Sequence, residues 1–435
     1  MSAGSGPHPP AGGSLPPTPE SWLPNEHNLY RPRHSPKQRT ALTCAVIFFL
    51  APALAFVVGV RPAPFENRAL TEFPSITDGW GFFTGLASWA TDHLPLREAG
   101  VEAAGGISTG VFGDPPDVGG GARDTVGVQP GDGPPQEEVP TELYPDVISG
   151  SDGWLYLGED VKARCNPVKD VNGTVAALNK LREAVESSGR KFELVVAPDK
   201  TTIMPQHLPA SYVGKECAEQ RAAEFWNRVP DEADAIDLRP ALADAEKSTG
   251  EPLYDAIDSH WNFAGGLTMT YELAERIAPG STSTWAVEPD GKQAWPADLP
   301  RLLGRSAERQ LTRYTLAPDG GEDRTRYIAS DFRTQLEVEQ SGDPVEGTIE
   351  DKVGLIADSY TQFATPFLTA ACRDVSVVHA DTVAEGSIDQ IVELLADRDV
   401  IAVEFVERIV TGGASALLRD DAIDRLAAAL AANPR

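Results

Sequence analysis

Apolar and polar positions divide the chain into stretches with different periods. Residues 1–40 are rich in Pro, Gly and Ser and have no apolar period, which predicts a disordered cytoplasmic tail. Residues 41–60 carry no charged side chain. As a helix this run is about 30 Å long, roughly one bilayer hydrocarbon core, and membrane helices tolerate a proline such as Pro52 near the middle. Phe82, Phe83, Leu86 and Trp89 then recur at helical spacing, which predicts a short amphipathic helix within a membrane-proximal segment, 61–140. Its second half, 100–140, is a Gly-, Pro- and acid-rich linker.

From about residue 141 short apolar runs alternate with helical periods. An Asp-Gly turn precedes a strand-like run at 154–157. A helix is predicted over 172–188, with Leu178, Leu181 and Val185 on one face and Gly189 ending it. Further strands are expected at 192–197, 235–238, 352–357, 375–379 and 400–405. Helices are expected at 215–228, 239–248, 263–277, 361–371, 387–395 and 420–431. The polar stretch near 280–345 has strand-like pieces such as 311–316 and reads as an insertion or a sheet edge. Strands alternating with helices predict an α/β sandwich with a mainly parallel sheet over 141–435.

Charge gives this organisation a direction. Arg31, Arg33, Lys37 and Arg39 precede the apolar run, while Arg61 and Arg68 follow it among Glu66 and Glu72. The basic excess on the N-terminal side predicts a single-pass signal anchor in the cell membrane, with an exported C-terminal body. The net charge of -28 excludes a nucleic-acid partner, because a phosphate backbone would be repelled. Neutral glycans and small acyl donors remain compatible. Of the four cysteines, Cys44 falls in the apolar run. Export permits a disulfide, for which Cys165 and Cys217 are the favoured pair, leaving Cys372 buried. No cysteine spacing suits a structural metal site, and no cofactor fingerprint is present.

Two places carry candidate chemistry. In LIADSYTQF, residues 355–363, an apolar strand ends at Ala357 and a helix follows, so Ser359 lies at the C-terminal edge of a strand. Ligands bind at that edge in open α/β sheets, and backbone N–H groups there can hold an oxyanion. Ser359 is a candidate nucleophile, although Asp358-Ser359 also suits a helix N-cap. In Asp258-Ser259-His260-Trp261, Asp258 can reach Nδ1 of His260 while Nε2 faces a serine. The same pattern also suits a local hydrogen-bonded turn. Trp261 and Tyr360 either stack on a sugar ring beside the serine or pack in the core.

The ordered set FENRALTEFP, DHLPLRE, DGWLYLG, VVAPDKTTIMP, DSHWN and ADSY resembles the alginate O-acetyltransferase group, the AlgX/AlgJ-like branch of the SGNH hydrolases. The resemblance runs from about Phe65 to Arg408 and is poor over 100–140 and 280–345. It implies an SGNH hydrolase-like three-layer sandwich, circularly permuted, with the Asp and His ahead of the serine. The implied triad is Ser359, His260 and Asp258. Asp199 and Lys200 of the PDK motif would shape the pocket or bind substrate, although a solvated charge pair after a strand suits them equally, and Glu407-Arg408 would be structural. Ala357 stands where the family usually has glycine, which matters if that position needs positive φ. The implied activity is acetyl transfer to an exported or cell-surface polysaccharide through an acyl-enzyme, with a multi-spanning membrane acyltransferase as acyl donor. Two other readings stay open: a glycan esterase using the same triad, and a non-catalytic glycan-binding assembly protein.

Overall fold

The computed structural model describes residues 36–58, 73–75, 82, 86, 89, 93, 141–328, 335–340, 342–380 and 388–435. Two units are present, 1–99 and 100–435.

In the first unit a helix spans Pro36–Val57. Its first turn takes in Lys37, Gln38 and Arg39, so the helix begins inside the expected tail. It ends three residues before Val60, leaving an apolar part about 25 Å long at 1.5 Å per residue. That falls short of a hydrocarbon core of about 30 Å. Among the described residues no helix is long and apolar enough to cross a membrane. The expected transmembrane anchor is thereby corrected, and with it the single-pass membrane localisation and the membrane as a partner. Phe82, Leu86 and Trp89 are helical, and Phe73 packs edge-on against Phe82 and Trp89 with ring centroids 6.2 and 5.0 Å apart. Phe83, residues 1–35 and the linker 100–140 lie outside the described residues.

The second unit opens with a small antiparallel pair, β1 (Val147–Ser149) and β2 (Leu155–Leu157). Its main sheet is built from β3 (Lys191–Ala197) and β4 (Ala235–Asp237) together with four later strands. Between them β5 (Ala286–Pro296) and β6 (Glu308–Ala317) pair as a separate two-stranded antiparallel ribbon. The later strands are β7 (Leu336–Glu339), β8 (Val353–Ala357), β9 (Asp374–His379) and β10 (Val400–Val406). The sheet order is β4-β3-β10-β8-β9-β7, parallel except at the β7 edge.

Strands β3, β8 and β10 read as near-continuous apolar runs because both of their faces are covered. Successive side chains alternate between faces. Val195, Ala197, Leu355, Ala357 and Ala402 join one core, with helices Phe263–Ile277 and Thr365–Ala371. Leu194, Val196, Ile356, Ile401 and Val403 join the other, with helices Val171–Glu186 and Asp420–Ala431. Helices thus cover both faces of a mainly parallel sheet in three layers. The stretch expected as a helix over 361–371 begins instead as the 3-10 turn Ser359–Phe363, and α-helix follows only at Thr365–Ala371.

The parallel register sets the site. Ala197 of β3 pairs with Val406 of β10, and β10 pairs in parallel with β8. The segments after β3, β10 and β8 therefore emerge side by side, bringing Asp199-Lys200, Glu407-Arg408 and Ser359 to one edge.

Candidate active site

Ser359 is the first residue of the turn that leaves β8. Asp358 caps this turn, accepting from the Tyr360 N–H at 3.0 Å with one oxygen and from the Val406 N–H at 2.6 Å with the other. Glu404, buried in β10, accepts from the Asp358 N–H at 3.1 Å and the Thr361 hydroxyl at 2.9 Å. Burial, and then the neighbouring Asp358 charge, push the Glu404 carboxyl well above the usual carboxylate range. Ala357 is the last residue of β8 and does not have positive φ, so its methyl group causes no strain there.

Helix Phe263–Ile277 closes over this turn. Gly266 allows the approach, since a Cβ there would overlap the Phe363 carbonyl. Asn262 caps the helix, accepting from the Ala264 and Gly265 N–H groups. The segment before it carries Asp258 and His260 in a loop closed by an isolated antiparallel bridge, Tyr254–Trp261. No longer strand leads into this loop.

His260 lies with Nε2 2.8 Å from Ser359 Oγ and Nδ1 2.9 Å from Asp258 Oδ1. An ionised carboxylate only accepts, so Nδ1 carries the proton and Nε2 is left to accept from the serine hydroxyl. All three residues are buried. Burial works to raise Asp258, but the His260 hydrogen bond and the Arg309 guanidinium hold its carboxyl below the ordinary value. Among the described residues no acceptor engages the Ser359 N–H.

Trp261 and Tyr360 are fully buried, so neither presents a face to a sugar. The Trp261 Nε1–H donates to the Tyr360 carbonyl at 2.9 Å, and the Tyr360 hydroxyl donates to the Ser259 carbonyl at 2.8 Å. The two rings lock the loop that carries Asp258 and His260 to the Ser359 turn. Lys200 is also fully buried, and its Nζ reaches the carbonyls of Leu155, Asp255, Ala256 and Asp258 at 2.6–3.1 Å. Its donors are spent on β2 and on the loop that carries Asp258. Asp199 pairs with Arg164 and Arg408, each at 2.9 Å, and its N–H donates to Glu407 at 3.0 Å. Arg164 also meets Glu407 at 3.0 Å, and the Arg408 guanidinium lies 5.5 Å from the Tyr360 ring centroid. This buried ionic cluster ties the ends of β3 and β10 together beneath the site. Helix Glu159–Cys165 supplies Arg164, and the disulfide Cys165–Cys217 fastens that helix to helix Lys215–Trp226. Burial pushes the Cys372 thiol up to about 12, which leaves it a poor nucleophile.

Two residues of the site come from the stretch read as an insertion. Asp298, in the loop between β5 and β6, accepts from the Ser259 N–H at 2.9 Å and from the Ser259 hydroxyl, and its own N–H donates to Asp258 Oδ2 at 3.2 Å. Burial, and then the Asp258 charge, raise the Asp298 carboxyl. Arg309, in β6, places Nη2 3.2 Å from Asp258 Oδ1. A signal for Arg309 exists in the sequence: strand periodicity puts it on the same buried face as Leu311. Asp298 had no such signal.

Asp258, His260 and Asp298 also have donor types that suit a divalent ion. The fixed guanidinium 3.2 Å from Asp258 Oδ1 opposes a cation there, and Nδ1 already faces Asp258. A second Ser-His-Asp grouping, Ser151, His207 and Asp152, lacks relay geometry. Both partners approach the same His207 nitrogen, Nδ1, at 3.3 and 3.7 Å.

The family described as "SGNH hydrolase-like domain, acetyltransferase AlgX" matches residues 147–402. A protein of Pseudomonas syringae pv. tomato named "Probable alginate O-acetylase AlgJ" is 30% identical over 146 residues, covering 32% of this chain and 34% of that protein. The protein of the same name from Pseudomonas putida is 23% identical over 233 residues, covering 51% and 56%. The chain thus spans between a third and a little over half of the length of these relatives. The solved O-acetyltransferase domain of Pseudomonas putida AlgJ aligns with a TM-score of 0.44 at 17% identity, covering 65% of this chain and 99% of that one. The match over residues 147–402 places this chain in the SGNH hydrolase-like, AlgX-type acetyltransferase family.

Proposed function

We propose that the chain is a serine-dependent O-acetyltransferase that moves an acetyl group to hydroxyls of a polysaccharide outside the cytoplasm. The observation that carries this reading is the contact of His260 with Ser359 Oγ at 2.8 Å on one ring nitrogen and with Asp258 at 2.9 Å on the other. His260 takes the serine proton as Oγ attacks the acetyl carbonyl. The donor's leaving group departs with that proton, leaving an acetyl ester on Ser359. A sugar hydroxyl then gives its proton to His260 and attacks the ester, and His260 passes that proton to Ser359 Oγ as the serine leaves. The Ser359 N–H supports the oxyanion in both steps. The names of the relatives supply acetyl as the group and a polysaccharide as the acceptor class. The Cys165–Cys217 disulfide supports a place outside the reducing cytoplasm.

The test is mass spectrometry of the full chain after exposure to an activated acetyl ester. The parent should gain one acetyl group on Ser359, discharged faster by added glycan than by water. Ser359→Ala should keep its fold, show no acetyl adduct and lose transfer activity by a factor on the order of a thousand or more. Equal discharge with and without glycan would make the protein an esterase. An unacylated parent, with a donor that labels other serine hydrolases, would sink the covalent route.

A further inference from the structure

We propose that Arg309, carried to the site by the β5–β6 ribbon, is a positioning residue whose fixed positive charge holds the Asp258 carboxylate, and through it His260, in register with Ser359. This inference rests on the Ser359–His260–Asp258 reading of the site.

Arg309 is unusual in its burial. Its side chain is 1% exposed, and among the described residues none of its Nε, Nη1 and Nη2 atoms makes a hydrogen bond. An arginine left this way is costly unless its charge is used. Its one close ionic partner among the described residues is Asp258, with Nη2 3.2 Å from Oδ1, the oxygen that also faces His260 Nδ1. The guanidinium also lies 5.1 Å from the centroid of the Phe363 ring, on the nucleophile turn. One cation thus faces both halves of the site.

The other charged and titratable groups around Asp258 and His260 are Asp298 in the ribbon loop, Lys200 after β3, and Ser359 and Tyr360 on the nucleophile turn. Lys200 meets the Asp258 backbone carbonyl, not its carboxylate. Asp298 adds a second carboxyl 3.5 Å from His260 Nδ1. Without Arg309 the imidazole would have two acidic neighbours, and the remaining nearby cation, Lys200, is held on backbone carbonyls and not at Oδ1. Both Asp258 and His260 would then bind protons more readily, and a protonated His260 cannot accept from Ser359.

The test is an NMR titration of the full chain with labelled histidines, alongside the pH profile of Ser359 acylation. In Arg309→Met the His260 midpoint should rise by on the order of one pH unit, and the acidic limb of the profile should rise with it. Arg309→Lys, which keeps the charge and loses the shape, should recover most of that shift. Arg309→Gln removes the charge in a polar side chain and replaces the Met variant if that one does not fold. An unchanged midpoint in the neutral variants overturns the inference, as does a shift in Arg309→Lys as large as in Arg309→Met. The titration does not need activity, so it separates the two claims. Acylation that survives Ser359→Ala defeats the triad reading. Loss of acylation in Ser359→Ala with an unmoved His260 midpoint in the neutral variants defeats only the role of Arg309.

Discussion

The Ser359 turn and the Asp258–His260 loop, the proposed nucleophile turn and base loop, meet 2.8 Å apart, yet they are held by different means. The turn at Ser359 hangs on its own sheet. Asp358 and Glu404 fasten it to β10, the strand that pairs directly with β8. The base loop has no strand behind it beyond the single Tyr254–Trp261 bridge. It is pinned by side chains from distant segments: Lys200 after β3, Asp298 from the ribbon loop and Arg309 from β6. The serine half therefore inherits its geometry from its own strand and from carboxyl groups that tie it to the adjacent strand, whereas the histidine half depends on buried charges brought in from distant segments. Substitutions that remove those charges should damage the base loop first.

Lys200 offers the largest break. In Lys200→Met four carbonyls converge on a side chain with no donor, and the cost should be about 3 kcal/mol or more by chemical denaturation at neutral pH. The pH dependence has a definite sign. Burial lowers Lys200 from 10.5 to about 8. Below about 8 both folded and unfolded chains keep this proton, and the folded state bears the full cost of the buried charge. Between about 8 and 10.5 the unfolded chain binds more protons, so the parent gains stability relative to Lys200→Met as pH rises. The gain approaches on the order of 3 kcal/mol across the whole window. A stability difference that stays flat from pH 7.5 to about 9.5 would refute this account of Lys200.

Gly266→Ala attacks the junction between the halves. The added methyl group would overlap the Phe363 carbonyl, so the helix or the turn must move. A stability loss of about 1–3 kcal/mol is expected. Acylation of Ser359 should fall further than stability explains, because small misplacements are expensive in a preorganised site. Parent-like acylation in a destabilised variant would show that the approach at Gly266 serves packing alone.

Much of the nucleophile half was legible in the sequence for the same reason that it is sheet-borne. An apolar run, a polar break and a following turn are local signals, and they placed Ser359 at the end of β8. Asp258 and His260 were legible because their spacing is local, but the absence of a strand before them was not. Asp298 and Arg309 lay in a polar stretch read as an insertion, and only tertiary pairing brings that ribbon to the base loop. Lys200 and Asp199 were legible as a motif while their partners were not, since a carbonyl cage and a buried ion cluster assemble from segments far apart. The anchor failed because the helix starts in charged residues and stops before the apolar run ends, and apolar composition alone does not report helix boundaries.

Trp261 is the smallest and sharpest probe of the comparison, because it bridges the two halves without touching the reacting atoms. Its Nε1–H bond to the Tyr360 carbonyl is one neutral hydrogen bond, and its ring packs against Tyr360 with centroids 5.1 Å apart. Trp261→Phe keeps an aromatic body and leaves that carbonyl without its donor, which should cost about 1–2 kcal/mol in stability. Glycan affinity should not change, because the ring is fully buried and offers a sugar no face. A loss of glycan binding at unchanged stability would mean that the base loop opens to substrate. Loss of stability with unchanged glycan affinity would leave Trp261 as the clasp between a sheet-borne serine and a charge-held histidine.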